Sequence, residues 1–277
     1  MLGKHREERR VLYSIPPLLL LIIAVAVAVT FAICGQLYVH RHFKAQDFVQ
    51  HNEVAGFIIS VVGTLYGVLL GFLTVVVWQH FSDSRDQVAR ESAAAADVWH
   101  TAVGLPYVVR SRVRDDMEKY AKIMISAEWP AMRNGGVSTD ADIVVMDAMA
   151  ETGTLDPANL REAGAQLATQ QQLTVLHDER QRRIADNDAA VTWFEWVVLF
   201  IGGVSVLCFC WLFGLRNPTV HLLMTAAVAV VMTSTLVLLY ELQYPFRSPI
   251  GIGTATWQGL LAHIELMQHG SQMYMRM

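Results

Sequence analysis

The chain has 277 residues, of which 53% are hydrophobic and only 17% are charged, and its formal net charge is −4. A soluble domain of this size does not need so much apolar sequence, so the composition excludes an ordinary soluble globular protein. The basic residues form no stripe interleaved with aromatic residues, which gives no indication of nucleic acid as a partner.

Four apolar stretches are each long enough to cross a lipid bilayer: residues 16–38, 55–79, 193–214 and 219–240. A helix of about 20 apolar residues spans the roughly 30 Å hydrocarbon core. The first stretch is too long for a signal peptide and lacks a cleavage pattern of small residues, so we expect it to be retained as a membrane helix. The sequence therefore predicts an all-α membrane protein with four transmembrane helices and a helical cytoplasmic insert between helices two and three.

The distribution of lysine and arginine predicts the orientation, because cytoplasmic flanks retain positive charge. The basic flanks contain Lys4, Arg6, Arg9, Arg10, Arg85, Arg90, Arg180, Arg182 and Arg183. The opposite side holds only Arg41, Lys44 and Arg216. Both termini and the long insert are therefore predicted to lie in the cytoplasm.

Breaker and capping residues divide the insert into helices. No breaker follows span two until Gly104 and Pro106, so that helix is predicted to continue beyond the membrane to about residue 103. A second helix is predicted from Pro106 to the stop at Trp129-Pro130, a short one from 138–140 to about 151, and a longer one from 156–157 to about 184. The predicted domains are 1–80, 81–191, 192–241 and 242–277.

The tail after span four carries an amphipathic pattern from about residue 255 to 268. Its apolar stripe consists of Trp257, Leu260, Leu261, Ile264 and Met267. Such a stripe needs either the membrane surface or a protein neighbour to cover it. The scarcity of basic residues disfavours the membrane surface.

No pattern of residues supports catalysis, a cofactor or a metal. Phosphate-binding loops, nucleophile elbows and zinc-binding helices are absent from the sequence, so we expect the protein not to be an enzyme. Cys208 and Cys210 fall on different faces of a helix, and His40, His42 and His51 lack the spacing of a zinc helix. Two isolated carboxylates at span ends, Glu195 and Glu241, are more typical of interfacial residues than of catalytic acids.

Span two carries a face of small and hydroxyl residues. Its members are Ser60, Gly63, Thr64, Gly67, Gly71 and Thr74, with Gly56 extending the same face. Small residues at a spacing of four allow helix backbones to approach closely in lipid, so one interpretation is helix packing. The other is a pore wall, since hydroxyls and exposed backbone line narrow segments of channels. Both interpretations hold if one edge packs and the other faces a lumen.

Charged residues flank spans two and three on the predicted cytoplasmic side. The candidate mouth of a pathway comprises Arg85, Asp86, Arg90, Glu91, Arg180, Arg182 and Arg183. One interpretation is a solvated collar near lipid headgroups, and the other is a vestibule that concentrates ions. The mixed signs do not select cations or anions.

Five short motifs resemble the bacterial bestrophin-like family over about residues 50–255. They are Asn52-Glu53-Val54-Ala55-Gly56, Ser82-Asp83-Ser84-Arg85-Asp86 with Arg90-Glu91-Ser92-Ala93, Glu128-Trp129-Pro130, Arg180-x-Arg182-Arg183, and Tyr244-Pro245-Phe246. True bestrophins are pentameric ion channels with four spans per subunit, and the equivalent of span two lines their pore. The acidic calcium-binding cluster and the aromatic neck of true bestrophins have no counterpart here, so calcium gating and chloride selectivity are not implied.

The resemblance implies a homo-oligomer, with the pentamer as its example, in the inner membrane of a bacterium. The expected function is an ion channel that passes monovalent inorganic ions along span two, with the lipid bilayer as its surroundings. The alternative is a non-conducting membrane scaffold or regulatory protein whose cytoplasmic helices bind a partner.

Overall fold

The computed structural model describes residues 16–42, 52–187, 190–213 and 217–274, and these ranges contain helices and no strand. The α-helices in them are α1 Pro17–His42, α2 Asn52–Thr101, α3 Tyr107–Ile123, α4 Trp129–Arg133, α5 Asp140–Gly153, α6 Leu160–Ala185, α7 Trp193–Trp211, α8 Pro218–Leu242 and α9 Ala255–Tyr274. A 3₁₀ turn covers Ala102–Gly104, and a π-helical turn covers Met124–Glu128.

Helices α1, α2, α7 and α8 are long and apolar enough to cross a membrane, so the predicted all-α, four-span fold is confirmed. Helix α2 has 50 residues and is therefore about 75 Å long, more than twice the thickness of the hydrocarbon core. It continues past the apolar stretch without interruption, as the lack of breaker residues predicted.

The chain divides into two compact units. The membrane unit comprises Met1–His80 and Ala189–Tyr244, and the second unit comprises Phe81–Asp188 and Pro245–Met277. The tail thus belongs to the same compact unit as the insert.

Small residues allow close helix packing in the membrane unit. Ala32 of α1, Leu207 of α7 and Ala229 of α8 form a buried cluster, and the indole Nε1 of Trp211 donates a hydrogen bond to the carbonyl oxygen of Ala32 at 2.9 Å. Tyr66 of α2 packs on α7 where Gly202 stands, since a Cβ at that glycine would lie 2.5 Å from the tyrosine ring. These contacts replace the hydrophobic driving force that lipid does not supply.

A group of aromatic residues packs together in the core of the second unit. The Trp129 ring centroid lies 5.9 Å from that of Phe246 and 6.3 Å from that of Trp257, and the Trp129 indole donates to the carbonyl oxygen of Ile252 at 2.8 Å. Trp257 is fully buried, and its ring centroid lies 5.6 Å from that of Tyr120 on α3. Trp257, Leu260 and Ile264 of the tail stripe are therefore covered by protein, whereas Met267 is 43% exposed.

The helix predicted to end at Trp129-Pro130 is different in the structure. Helix α3 ends at Ile123, the π-helical turn follows, and α4 then continues through Pro130 to Arg133. The proline is tolerated because it lies in the first turn of α4, where a missing N–H breaks no intrahelical bond. The next long helix begins at Leu160, later than predicted, because the side chain of Asn159 caps it by accepting from the backbone N–H of Glu162.

Candidate functional site

The membrane part of α2 has three faces. The buried face carries Tyr66, Leu70, Leu73 and Val77, and the small face predicted from the sequence lies roughly a quarter turn away. The third face carries large exposed apolar side chains: Phe57, Leu65, Val68, Phe72 and Val75. The helix thus presents two unlike surfaces outward, one large and apolar, the other small.

The small face contacts little else in the described chain. A Cβ added at Gly63, Gly67 or Gly71 would meet no atom within 4 Å among the described residues. Ser60 and Thr64 are exposed, and Thr74 is half-buried. Packing against another helix in the described part of the chain therefore does not explain these glycines.

Two hydroxyls on this face bond to the helix itself. Ser60 Oγ donates to the carbonyl oxygen of Gly56 and Thr74 Oγ1 to that of Leu70, both at 2.7 Å. Because the hydroxyl hydrogens are engaged, only the oxygen lone pairs remain for another group. The face therefore presents hydrogen-bond acceptors.

Sequence analysis missed two residues that share the angular position of this face. Glu53 is exposed in the first turn of α2, and Trp78 is 59% exposed one turn beyond Thr74. Helical spacing would have found them, since Glu53 lies seven residues before Ser60 and Trp78 lies seven after Gly71.

The residues of the predicted mouth fall into three groups. Arg85 and Asp86 are exposed. Arg90 and Arg182 are more than half exposed, and both pair with Glu179, at 3.2 Å and 2.8 Å. Glu91, Arg180 and Arg183 form the third group, which is buried in the second unit.

The buried group belongs to an ionic network. Arg183 Nη2 donates to Oε1 of Glu91 at 3.1 Å and to Oε1 of Glu128 at 3.3 Å, and all three side chains are inaccessible to solvent. Arg180 lies 3.5 Å from Glu128 and pairs with Asp142 at 2.9 Å. The expectation of a solvated collar is therefore wrong for Glu91, Arg180 and Arg183, because opposite charges from distant helices hold them inside the core.

The electrostatics of the network agree with full ionisation of its arginine. Burial lowers the pKa of Arg183, but the charge and hydrogen bonds of Glu91, together with Tyr120 and Glu128, raise it, and the net pKa lies above the ordinary value. Burial, followed by the charge of Glu91, raises the pKa of Tyr120, so its hydroxyl stays protonated and donates to that carboxylate. Within the buried part of the network the two arginines balance Glu91 and Glu128, so that part offers no free charge to an ion.

A family model for the Bestrophin-like domain matches residues 13–256. The chain belongs to the bestrophin-like family. A search of curated proteins found no match.

Crystal structures of a bacterial bestrophin homologue from Klebsiella pneumoniae are similar to this bestrophin-like chain. One point variant has a TM-score of 0.66 at 14% identity, covering 88% of this chain and 98% of the homologue. A second variant has a TM-score of 0.65 at 12% identity, covering 88% of this chain and 98% of the homologue. A third structure has a TM-score of 0.63 at 14% identity, covering 87% of this chain and 97% of the homologue. At this identity the similarity establishes the fold alone.

Residues from four of the bestrophin-like motifs meet in the core of the second unit. Glu91, Glu128 and Arg183 come from three of the motifs and meet in one buried network, while Phe246 of a fourth packs on Trp129. Their identities are constrained because a buried charge that loses its partner is strongly destabilising. These four residues support the fold of the second unit.

The remaining sequence candidates have structural roles or lie outside the described residues. Glu195 forms a capping box with Thr192 at the start of α7, which accounts for its position. The ring of His40 lies 5.3 Å from that of His221. The described residues do not include Lys4, Arg6, Arg9, Arg10, Lys44, His51 and Arg216.

A surface pocket lies where α3 and α5 pack together. It is lined by Arg112, Asp115, Asp116, Asp147 and Glu151. Burial and then the charge of Glu151 raise the pKa of Asp116 to about 6. The pocket therefore contains a carboxyl group that ionises near neutral pH.

Proposed function

We propose that this protein is a subunit of a homo-oligomeric ion channel whose pathway runs along the small face of α2. The observation that carries the proposal is that Gly63, Gly67 and Gly71 form a continuous face with no neighbour among the described residues of the subunit. The channel activity of true bestrophins, together with membership of this family, supports the same function.

The two outward surfaces of α2 favour different environments. Large apolar side chains such as Leu65 and Phe72 suit lipid or a neighbouring subunit, whereas a face of glycine and hydroxyl residues leaves backbone and oxygen atoms accessible. A ring of subunits that turns the small faces toward one axis would line a passage with such atoms, and a pentamer is the arrangement we favour.

The expected ions are monovalent. Residues 54–79 of α2 include no charged side chain, so the passage offers no fixed charge to compensate for dehydration of a divalent ion. The acceptor oxygens of Ser60 and Thr74 favour cations over anions. Selectivity is expected to be modest, because hydroxyl dipoles and pore width are its only sources within the span.

The proposed orientation places both termini and the second unit in the cytoplasm of a bacterium, with the spans in its inner membrane. The excess of lysine and arginine in the flanks on that side supports it. Of the seven mouth residues, Arg85, Asp86, Arg90 and Arg182 have accessible side chains that could face passing ions. We propose no catalytic role and no cofactor.

A non-conducting scaffold is the second candidate, and one observation favours it. The second unit exposes large apolar side chains near the ends of α3 and α6, with Leu160 93% and Tyr107 75% exposed. Exposed apolar surface of this kind is typical of protein contacts. In that case the small face of α2 would only pack subunits together.

Flux through liposomes separates the two candidates. Purified protein should pass monovalent cations, and Gly67→Leu should reduce the flux because the new side chain occupies the small face. Gly67→Ala should have a milder effect, and Val68→Leu, on the large apolar face of the same turn, is the matched control and should leave the flux unchanged. Particle mass in detergent must show that each variant still assembles. Assembled wild-type oligomers with flux no greater than empty liposomes, across pH and voltage, would refute the channel.

A further inference from the structure

A line of polar residues lies inside the membrane unit, along the contact between α1 and α8. Ala32 packs with Ala229, and two turns further along α1 the ring of His40 lies 5.3 Å from that of His221. Each step of four residues along α1 is matched by a step of four residues back along α8. Gln36 and Thr225 therefore occupy the turn between these two contacts, one on each helix.

Three of these residues are buried although they are polar, while His40 is half-buried. Gln36 is 2%, Thr225 1% and His221 4% exposed. The oxygen Oε1 of Gln36 and the hydroxyl oxygen of Thr225 make no hydrogen bond to the described residues. This differs from Thr30 and Thr235, which lie on the same two helices and donate to the carbonyl oxygen four residues earlier. Unsatisfied buried polar atoms are costly, so two of them in one turn point to a bound species.

The tautomer of His221 follows from its partner. Its Nε2 lies 2.9 Å from the carbonyl oxygen of Cys210, and because a carbonyl only accepts, Nε2 carries the hydrogen. The neutral ring therefore has its lone pair on Nδ1. The turn thus combines a basic nitrogen with the oxygens of Gln36 and Thr225, each of which can accept a hydrogen bond.

We propose that His40, His221, Gln36 and Thr225 form a proton-binding site that takes up one proton for the pair of imidazoles. The proton comes from bulk water and binds an imidazole lone pair, which for His221 is on Nδ1. The buried oxygens accept hydrogen bonds from the N–H groups of the resulting cation, directly or through water. A second proton is excluded because two cations whose rings are 5.3 Å apart would repel each other strongly in a medium of low dielectric constant.

Few other charged groups on the helices around the pair could mask this behaviour. In the described residues of the membrane unit, the other charged or titratable groups on these helices are Cys34, Tyr38, Arg41 and His42 on α1, Glu53, Tyr66 and His80 on α2, Glu195, Cys208 and Cys210 on α7, and Tyr240 and Glu241 on α8. With the proposed orientation, the site lies near the external surface, so it senses the acidity outside the cell. Its protonation places one positive charge between α1 and α8 and makes their packing depend on pH. The proposal does not depend on conduction.

Nitrogen NMR of full-length, histidine-labelled protein in lipid nanodiscs tests the site. His40→Gln and His221→Gln assign the two rings, and acidification from pH 8 to pH 4 should charge the pair by one proton in total. His100 and His263 form the matched control: their ring centroids lie 5.6 Å apart on the exposed surface of the second unit, and both should become charged.

Variants of the acceptor residues extend the test. Gln36→Leu and Thr225→Val should each weaken proton binding about tenfold, because a hydrogen bond to the cation is lost. Thr225→Ser should restore it, and Thr235→Val should have no effect. A wild-type pair that stays neutral down to pH 4, or one that takes up two protons, would overturn the proposal. So would a titration that is displaced by added zinc at low concentration, since this would identify a metal site instead.

Discussion

Replacing Glu91 with glutamine removes one negative charge from the buried network of the second unit. The carboxylate accepts hydrogen bonds from Arg183 and from the Tyr120 hydroxyl, and none of the three side chains is accessible to solvent. After the change Arg183 retains only Glu128 as a charged partner, at 3.3 Å. Loss of one partner from a buried ion pair costs about 3–5 kcal/mol, because the remaining charge is left without compensation.

A surface pair of the same chemical type provides the control. Arg90 lies 3.2 Å from Glu179, but its side chain is 53% exposed. Glu179 is itself buried but keeps Arg182 at 2.8 Å, and an ion pair with an exposed partner contributes only about 0–1 kcal/mol, so Arg90→Gln should change stability little. The two substitutions start one residue apart on the same helix and each remove one charge, so burial is the main difference between them.

Thermal unfolding of the full-length protein in detergent measures both. At about 2–4 °C per kcal/mol for a chain of roughly this size, Glu91→Gln should lower the Tm by about 6–20 °C and Arg90→Gln by less than about 4 °C. The double change Glu91→Leu with Arg183→Met should recover much of the loss, because an apolar pair needs no charged partner. Equal effects of Glu91→Gln and Arg90→Gln would refute the assignment of Glu91 to a buried network.

Three further predictions follow from other contacts. Gly202→Ala should destabilise the protein by about 1–3 kcal/mol in a melting experiment, since its methyl group would lie 2.5 Å from the Tyr66 ring, whereas Gly67→Ala meets no neighbour and should not. A cysteine replacing the exposed Arg85 should resist impermeant thiol reagents in intact cells and react after lysis; labelling in intact cells would reverse the proposed topology. The pKa of Asp116 is raised from 3.8 to about 6, so its ionisation opposes folding. The wild type should therefore lose stability relative to Asp116→Asn as the pH rises from about 4 to about 6, and parallel Tm curves for the two proteins would show that the pKa is not raised.

The features that sequence predicted well are local ones. Four apolar stretches and the lack of breakers after span two were sufficient for the helices, because length and hydropathy act within one segment. The π-helical turn at Met124–Glu128 was missed because Pro130 was interpreted as the end of a helix. In the structure Pro130 lies in the first turn of α4, where proline is tolerated. The start of α6 was predicted a few residues too early because the sequence did not show that Asn159 is the capping residue.

Pairings between distant segments could not be predicted from one sequence. Glu91 and Arg183 are 92 positions apart, and each resembles an ordinary surface charge at a membrane flank until its partner is known. The same holds for His40 and His221, which belong to the first and last spans. The small face of α2 was found because it lies on one helix, but the structure was needed to show that no other described helix of the subunit covers it.

The separation of the buried ionic network from the small face bears on the proposed selectivity. In the buried network two arginines, Arg180 and Arg183, face Glu91 and Glu128, so these charges largely cancel and lie beyond the reach of solvent. The proposed channel therefore does not obtain ion selectivity from this buried network. In that proposal, selectivity comes from residues that face the passage, such as Ser60 and Thr64 on the small face and Arg85 and Asp86 beyond it. Reversal potentials in a salt gradient would shift on charge reversal at Asp86 but not on the paired change Glu91→Leu with Arg183→Met, and a shift with the paired change alone would refute this division of roles.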